Sequence, residues 1–328
     1  MDNDRIVLIG TSAGGVKALT HLVAGLPKNF PAPVLIVQHT SPHGPSAMPA
    51  ILSRSGPLRA IHPRDGERIR PGRIYIAPPN RHLLLSGDAV RLSLGPAENH
   101  NRPAIDVLFR SGARTYGNRA IGVVLTGNLD DGTAGLAEIK RSGGTAIVQD
   151  PDDAEYPDMP RNAIGNVDVD RVAPLDAIPR LLVELAGAPR DPLDSGEQNA
   201  SEMKEDLERG EDRESGEDLS GFTCPDCGGA LWESDEGGVL HFRCRTGHAF
   251  SPESLAAGQT ETMEAALWAA VRSLEESAAL SQRMEHWARD RQHAASLERY
   301  TKRTQEAKQH AEVLRRFLVD GPPLQEPG

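Results

Sequence analysis

Apolar and polar positions alternate regularly over the first half of the chain. Short runs rich in valine and isoleucine are separated by amphipathic segments of helical period, from residue 5 to about residue 187. Runs that are apolar on both faces and separated by helices are typical of a parallel sheet covered on each side. We therefore predict a doubly wound, mainly parallel, Rossmann-like α/β domain over residues 1–187. The predicted strands are 6–9, 34–38, 74–77, 120–126 and 145–149, with a hairpin over 83–94 and helices starting near Pro103 and Pro174.

The pattern changes after residue 187. Residues 188–220 are rich in Asp, Glu, Gly and Ser and almost lack large apolar side chains, which is typical of a disordered linker. Residues 252–320 contain no glycine after Gly258 and no proline after Pro252. We predict a helical hairpin or a coiled coil for this region, which is also a candidate surface for self-association. The expected seam positions recur at spacings of three, four or seven: Leu267, Val271, Leu274, Ala278, Ser281 and Ala288.

All three cysteines lie in residues 221–251. Cys224 and Cys227 form a Cys-x-x-Cys pair, and Cys244 follows sixteen residues later with His248 close behind. Two close pairs joined by a hairpin-length spacer suit the tetrahedral geometry of Zn²⁺, so we predict a zinc-ribbon-like module with a structural ion. The alternatives are His241 as the fourth ligand and a small hairpin with free thiols. So small a module has too little apolar core to fold without a staple, which favours the metal.

The distribution of charge limits the class of partner. The net charge is −11, and residues 191–220 contain twelve acidic against three basic residues, so the remainder is nearly neutral. Such a chain offers no basic face to nucleic acid. No stretch reaches the roughly 18 apolar residues of a membrane helix, and the N-terminus lacks a signal-peptide pattern. We expect a cytoplasmic protein that neither inserts into a membrane nor binds nucleic acid.

Three side chains of complementary chemistry follow three of the predicted strands. Ser12 lies in a turn of small residues after the first strand, His39 follows the second, and Asp131 lies in the turn after strand 120–126. The carboxyl ends of parallel strands share one edge of a sheet, so we expect these residues to meet. Histidine is suited to take a serine proton near neutral pH, and a carboxylate fixes the imidazole tautomer. The sequence predicts a catalytic triad that needs no cofactor.

Each of these residues also has a simpler explanation. A turn of small residues after a first strand is more often a nucleotide-phosphate loop, but Ser12 replaces the second glycine of that motif. The second strand ends in Gln38-His39, not in the acidic residue that would bind a ribose. His39 alone is equally compatible with a core histidine, and Asp131 alone with a turn. Their joint position at strand ends favours the catalytic interpretation.

The same residues lie in segments that resemble the chemotaxis protein-glutamate methylesterases of the CheB type. The matching segments are GTSAGG (10–15), VQHTSP (37–42), PGRIYIAPPNRHL (71–83), RPAIDVLFRSGA (102–113), VVLTGNLDDGTAG (123–135) and GGTAIVQDP (143–151), ending with Met159-Pro160. The resemblance implies hydrolysis of glutamate γ-methyl esters on methylated chemoreceptors or related signalling proteins, often with deamidation of receptor glutamines. It implies Ser12 as nucleophile, His39 as base and Asp131 as the triad acid. The positions expected to bind the oxyanion or the substrate are Thr11, Ala13, Gly14, Asn128 and Met159.

Departures from the family pattern bear on activity and regulation. The turn after Thr126-Gly127 usually reads Met-Gly in this family and reads Asn128-Leu129 here, and Asp158 replaces the usual glycine before Met-Pro. The alternative function is therefore a signalling or scaffold protein with weakened catalysis that binds its target. Nothing resembling the family's receiver domain precedes residue 5, so we expect activity without phosphorylation. We expect residues 222–328 to act on a flexible tether and recruit the partner that carries the substrate.

Overall fold

The computed structural model describes residues 5–41, 46–187, 218–236 and 238–320. The chain divides into two compact units, one ending at Leu255 and the other beginning at Ala256. The predicted disordered linker lies outside the described residues, except for its last three positions. These belong to a strand that begins at Asp218, so the prediction of a linker up to residue 220 is wrong at its end.

A parallel sheet forms the centre of the first unit. The strands up to residue 187 are β1 (Ile6–Thr11), β2 (Val34–Gln38), β3 (Arg59–Ile61), β4 (Arg73–Ile76), β5 (His82–Ser86), β6 (Ala89–Ser93), β7 (Ala120–Val124), β8 (Thr145–Gln149) and β9 (Arg171–Ala173). Among the described residues, seven of them form one sheet in the order β3-β4-β2-β1-β7-β8-β9, and every neighbouring pair is parallel. Strands β5 and β6 pair as the predicted antiparallel hairpin.

Helices cover both faces of this sheet. They are α1 (Gly15–Ala24), α2 (Met48–Ser55), α3 (Ile105–Tyr116), α4 (Thr133–Arg141), α5 (Asp158–Asn166) and α6 (Ile178–Gly187). Ile6 and Leu8 of β1 belong to the core beneath α3, α4 and α5, whereas Val7 and Ile9 belong to the core beneath α1, α2 and α6. Successive side chains of a strand point to opposite faces, so one apolar strand supplies both cores. The predicted doubly wound fold is confirmed.

Some element boundaries differ from the prediction. Helix α3 begins at Ile105 and not at Pro103, and its first two N–H groups, those of Ile105 and Asp106, donate to the carboxylate of Asp131. Strand β7 ends at Val124, two residues before the predicted end. The side chain of Thr126 instead donates a hydrogen bond to Ala13 O in the turn after β1. Helix α6 begins at Ile178, after a 3₁₀ turn that occupies the predicted first residues.

The cysteine-containing segment folds as a four-stranded antiparallel sheet within the first unit. Its strands are β10 (Asp218–Thr223), β11 (Ala230–Glu236), β12 (Val239–Cys244) and β13 (Ala249–Phe250), paired in that order. We call residues 218–255 the ribbon module. Leu231, Phe242 and Phe250 form its buried core with two cysteines and Leu255. Trp232 is half-buried and Leu240 is exposed, because alternation along each strand turns their neighbours inward.

The ribbon module packs directly against the α/β domain, which was not predicted from the sequence. Asn99 N donates to Ala249 O at 2.8 Å, and Glu98 forms a parallel bridge with Ala249. The module thus adds its last strand to a loop of the α/β domain, and both belong to one compact unit. The expectation that residues 222–328 as a whole act on a flexible tether is wrong for residues 222–255.

The second unit consists of helical chain. Helix α7 spans Pro252–Asp290, and its residues from Ala256 onward belong to this unit, as does helix α8 (Ala294–Asp320). Val271, Ala278, Ser281 and Ala288 of the predicted seam are buried, and α8 buries Thr304, Ala307 and Ala311. An ion pair joins Glu275 to Arg315. Of the two predicted forms, the helical hairpin is the one observed. Within the described ranges, no helix combines the length and the apolar character needed to cross a membrane.

Candidate active site

Ser12 occupies the turn between β1 and α1. Gly14, which precedes the helix, has φ of 75°, a conformation that side chains disfavour. The serine backbone is fixed on both sides, since its N–H donates to Thr126 O at 3.0 Å and its carbonyl accepts from Gln38 Nε2 at 2.8 Å. A Cβ on Gly127 would lie 2.9 Å from the Cβ of Ser12. Only glycine lets the β7 turn approach this closely, and the serine is held without covering its hydroxyl.

His39 follows β2 and links the serine to a carboxylate. Its backbone N–H donates to Thr11 O, which extends the pairing of β1 and β2 by one residue. Nδ1 lies 3.2 Å from Ser12 Oγ, and Nε2 lies 2.7 Å from Asp131 Oδ2. The side chain of His39 is 11% exposed and that of Asp131 is 2% exposed. The three predicted residues, 27 and 92 positions apart, form one continuous line of hydrogen bonds.

Asp131 is held by the N-terminus of α3. Its Oδ2 accepts from Ile105 N at 2.8 Å, and its Oδ1 accepts from Asp106 N and Asn99 Nδ2, both at 3.2 Å. These N–H groups have no partner within the helix, and the helix dipole favours an anion there. Burial raises the pKa of Asp131, but the hydrogen bond and charge of His39 and the backbone N–H groups outweigh it and lower that pKa. The carboxylate that faces His39 is therefore ionised at neutral pH.

A second carboxyl group, Asp106, lies beside it. Asp106 Oδ1 accepts from Gly135 N at 2.6 Å in the first turn of α4, and Oδ2 accepts from Asn99 Nδ2 at 3.0 Å. Burial, and then the charge of Asp131, raise the pKa of Asp106 well above its usual range. The two buried carboxyl groups share one amide donor, and their mutual repulsion favours negative charge on Asp131, the one next to His39, over charge on Asp106. Asp106 and Asn99 were not predicted as site residues from the sequence, although Asp106 lies in the segment RPAIDVLFRSGA (102–113).

Asp130, the residue before Asp131, contacts the ribbon module. Asp130 Oδ1 accepts from Ser251 Oγ at 2.8 Å and from Ser254 Oγ at 3.0 Å. Its side chain is buried, and burial raises its pKa to about 7 against the two hydroxyl donors. Asp130 does not face His39 and has no part in the line of hydrogen bonds from the serine.

The predicted oxyanion and substrate positions separate into two groups. Thr11 Oγ1 donates to Thr126 O at 2.8 Å, and Met159 is fully buried with its N–H donating to Gly127 O, so these groups are engaged within the fold. Ala13 and Gly14 lie at the N-terminus of α1, beside the serine. Asn128 is exposed on the β7 turn. The departure at Leu129 has a conformational signature, because its φ of 59° is the left-handed conformation that glycine adopts more readily.

The four predicted zinc ligands come together in the ribbon module. The ligand atoms of Cys224, Cys227, Cys244 and His248 all lie within 4.8 Å of one another. Cys227 Sγ is 3.7 Å from Cys244 Sγ, and His248 Nδ1 is 3.7 Å from Cys224 Sγ and 3.5 Å from Cys244 Sγ. His241 is buried in β12 outside this cluster.

The family model described as CheB methylesterase matches residues 7–182, more than half of the chain. The chain belongs to the CheB methylesterase family. The match includes the serine turn and both of its hydrogen-bonding partners, and it ends before the ribbon module.

Individual relatives agree with this assignment. A Leptospira interrogans protein is 40% identical over 184 residues, which cover 56% of this chain and 95% of that protein. An Anaeromyxobacter dehalogenans relative named protein-glutamate methylesterase/protein-glutamine glutaminase 2 is 42% identical over 181 residues, 55% of this chain but only 53% of the relative. The crystal structure of the Thermotoga maritima CheB methylesterase catalytic domain aligns with a TM-score of 0.54 and 36% identity, over 56% of this chain and 98% of that domain. The CheB methylesterase relationship therefore concerns the α/β domain.

Proposed function

We propose that this protein hydrolyses γ-methyl esters of glutamate residues on a chemoreceptor-like signalling protein. The observation that carries the proposal is the continuous line from Ser12 Oγ through His39 to Asp131 in a member of the CheB methylesterase family. Relatives such as the Anaeromyxobacter protein are named for methylesterase and glutaminase activity, which supports a glutamyl side chain as the substrate.

The hydrogen bonds assign a role to each residue. His39 Nδ1 accepts the proton of Ser12 as Oγ attacks the ester carbonyl, and Asp131 holds the other proton on Nε2. The tetrahedral intermediate collapses to the acyl-enzyme as its bond to the methoxy oxygen breaks, and the imidazolium gives its proton to that oxygen, which leaves as methanol. Water, activated by the same imidazole, then releases the glutamate and regenerates the serine. This assignment uses Nδ1 as the base and Nε2 as the anchored nitrogen, the reverse of the arrangement in the serine proteases.

The oxyanion of the intermediate needs donors beside Ser12. The serine's own N–H is already bonded to Thr126 O, so we assign the task to other groups. Ala13 and Gly14 lie at the positive end of α1, and Asn128 is exposed on the facing turn. A helix N-terminus favours a developing negative charge. Thr11 and Met159 are assigned to packing because their polar and backbone groups are engaged elsewhere.

Deamidation of glutamine uses the same machinery. Attack on a primary amide differs from attack on the methyl ester in its leaving group, ammonia, which takes its proton from His39 in the same way. The competing function, a binding protein with weakened catalysis, was favoured by Asn128-Leu129. That turn keeps the three hydrogen-bonding residues together here, which supports the enzyme.

Hydrolysis is tested by removing the nucleophilic oxygen. Ser12→Ala should abolish turnover of p-nitrophenyl acetate and of a peptide bearing a glutamate γ-methyl ester, with the circular dichroism spectrum unchanged. Ser142→Ala, at the C-terminal end of α4, is the matched control and should keep parent activity. Parent-level hydrolysis by Ser12→Ala would contradict the assignment. Binding of a methylated receptor without any hydrolysis by the parent would support the scaffold function instead.

We also propose that Cys224, Cys227, Cys244 and His248 bind one structural Zn²⁺. Zn–S bonds of about 2.3 Å and Zn–N bonds of about 2.0–2.1 Å give a tetrahedron with edges of roughly 3.8 Å between sulfurs and 3.6 Å between sulfur and nitrogen. The distances of 3.7, 3.7 and 3.5 Å fit those edges. Elemental analysis of protein purified without chelators should return one zinc per chain. Cys227→Ser should lower that ratio, whereas substitution of His241, which lies outside the cluster, should not.

A further inference from the structure

Asn99 is the point where the ribbon module meets the candidate triad. Its side chain is 1% exposed, and its φ of 49° lies in the left-handed region, as does the φ of 61° at His100. Residues other than glycine keep such a conformation where the surrounding contacts over-determine it. The contacts around Asn99 and His100 therefore decide whether the amide stays beside Asp131.

Most of those contacts come from the ribbon module. Asn99 N donates to Ala249 O at 2.8 Å, and His100 Nε2 donates to Ser254 O at 2.9 Å. The ring of His100 packs on Phe250 with centroids 4.9 Å apart. The preceding residue, Glu98, pairs with Arg243 of the module as well as with Arg110 of α3. The loop is thus clamped between the module and the α/β domain.

The module also fixes which way the Asn99 amide points. Ser251 N donates to Asn99 Oδ1 at 2.9 Å. An amide has one oxygen that accepts and one NH₂ that donates. With the oxygen committed to Ser251, the NH₂ must face Asp131 and Asp106, where it lies 3.2 Å and 3.0 Å from their oxygens. A backbone N–H of the module therefore orients the donor that supports the triad carboxylate.

A second connection reaches the neighbouring residue of the same turn. The hydroxyls of Ser251 and Ser254 both donate to Asp130, while Ser251 Oγ accepts from Ser254 N and caps the start of α7. Asp130 and Asp131 are adjacent, so the module holds the turn that carries the triad acid at two points.

The zinc cluster and these contacts are parts of the same short segments. Asp226 lies between Cys224 and Cys227 and pairs with His100, and Ala249 follows directly after His248. Two of the six residues in the module's buried core are cysteines of the cluster. A sheet with so small a core depends on its metal for folding, so the docking contacts depend on the metal as well.

We propose that Asn99 is a positioning residue for the triad, and that zinc bound in the ribbon module controls esterase activity through it. The inference rests on the proposed esterase and zinc site and goes beyond both. Loss of the metal releases Ser251 and Ala249, Asn99 leaves its strained conformation, and Asp131 loses a donor. Hydrogen bonds to charged groups contribute enough that kcat should fall at least about tenfold. KM should change little, because the module touches none of the reacting atoms.

The test uses the full-length protein and two readouts. One is steady-state hydrolysis of p-nitrophenyl acetate. The other is the chemical shift of the low-field proton NMR signal from the hydrogen bond between His39 and Asp131. This shift reports the geometry of the site in folded molecules and does not depend on how many molecules are folded. Zinc removal by a chelator should lower kcat and shift that signal, and stoichiometric Zn²⁺ should restore both. Cys227→Ser, at an exposed ligand, should reproduce the effect without chelator.

Asn99→Ala should lower kcat and shift the signal in the same way, and chelation should then add little, because both changes break one connection. Asn166→Ala, on the exposed end of α5, is the control and should behave as the parent. If Asn99→Ala does not fold, Asn99→Asp keeps an acceptor for Ser251 N but loses the donor to Asp131, and it should lower kcat at least about tenfold. Metal loss that leaves kcat and the NMR signal unchanged would overturn the proposal, as would an Asn99→Asp protein with the kcat and the NMR signal of the parent. A zinc-loaded parent without esterase activity would contradict the proposed function instead.

Discussion

Replacement of Asp131 by asparagine tests the arrangement of the triad most directly. The carboxylate accepts four hydrogen bonds: His39 Nε2 and Ile105 N on Oδ2, and Asp106 N and Asn99 Nδ2 on Oδ1. Asparagine has one acceptor and one donor group in place of two acceptors. In either orientation its NH₂ therefore faces two groups that also donate.

The magnitude follows from which pair is disrupted. If the NH₂ faces His39, Nε2 must become an acceptor, the proton moves to Nδ1, and the nitrogen beside Ser12 can no longer act as a base. The corresponding substitution in a serine protease lowers kcat about 10⁴-fold, and we expect a loss of about 10³- to 10⁴-fold here, or roughly 4–5.5 kcal/mol. If the NH₂ faces the helix and Asn99, two buried donors lose their acceptor, at about 1–3 kcal/mol each in stability.

The assay combines single-turnover hydrolysis of p-nitrophenyl acetate with urea unfolding. The matched control is Asp130→Asn, the same substitution one residue earlier, whose retained Oδ1 still accepts from both serine hydroxyls. The control should stay within a few-fold of the parent rate. A folded Asp131→Asn protein whose rate lies within tenfold of the parent would refute the assigned role of the carboxylate and its tautomer.

Two further predictions concern stability. At Leu129, with φ of 59°, Leu129→Gly should be more stable than Leu129→Ala by about 1 kcal/mol, because both remove the side chain and only alanine keeps the left-handed strain; equal urea midpoints would contradict this. Asp130 has a pKa raised from 3.8 to about 7, so its contribution to stability is present below about pH 4 and is lost as the pH rises through about 7. Asp130→Asn should therefore gain stability relative to the parent over that interval, and a pH-independent difference in unfolding free energy would contradict the raised pKa.

The sequence predicts the doubly wound sheet and the meeting of Ser12, His39 and Asp131 for a physical reason. Apolar runs identify buried strands, and parallel strands bring their carboxyl ends to one edge whatever the separation along the chain. Spacing alone likewise indicates the cluster of Cys224, Cys227, Cys244 and His248, because the two members of each pair lie close together in the sequence. These features are determined by short segments and by one rule of topology.

Asn99 and Asp106 could not be predicted in this way. Their hydrogen-bond partners lie far away in the sequence, and no local motif marks either residue. The side-chain oxygen of Asn99 accepts a hydrogen bond from Ser251 N, which lies 152 residues away, directly after the last strand of the ribbon module. No sequence pattern in residues 97–101 indicates that this segment pairs with β13. The same lack of a long-range signal explains why the ribbon module was expected on a tether.

Pairing between residues 97–99 and β13 has a consequence for the integrity of the chain. A protease cut anywhere in residues 188–217 would break the polypeptide but not the hydrogen bonds, the buried Phe250 or the serine contacts that join the halves. The two fragments should remain associated through size-exclusion chromatography and behave as a split enzyme. Fragments produced separately should complement one another on mixing. Addition of the zinc-loaded carboxyl-terminal fragment should restore the esterase activity of the amino-terminal fragment.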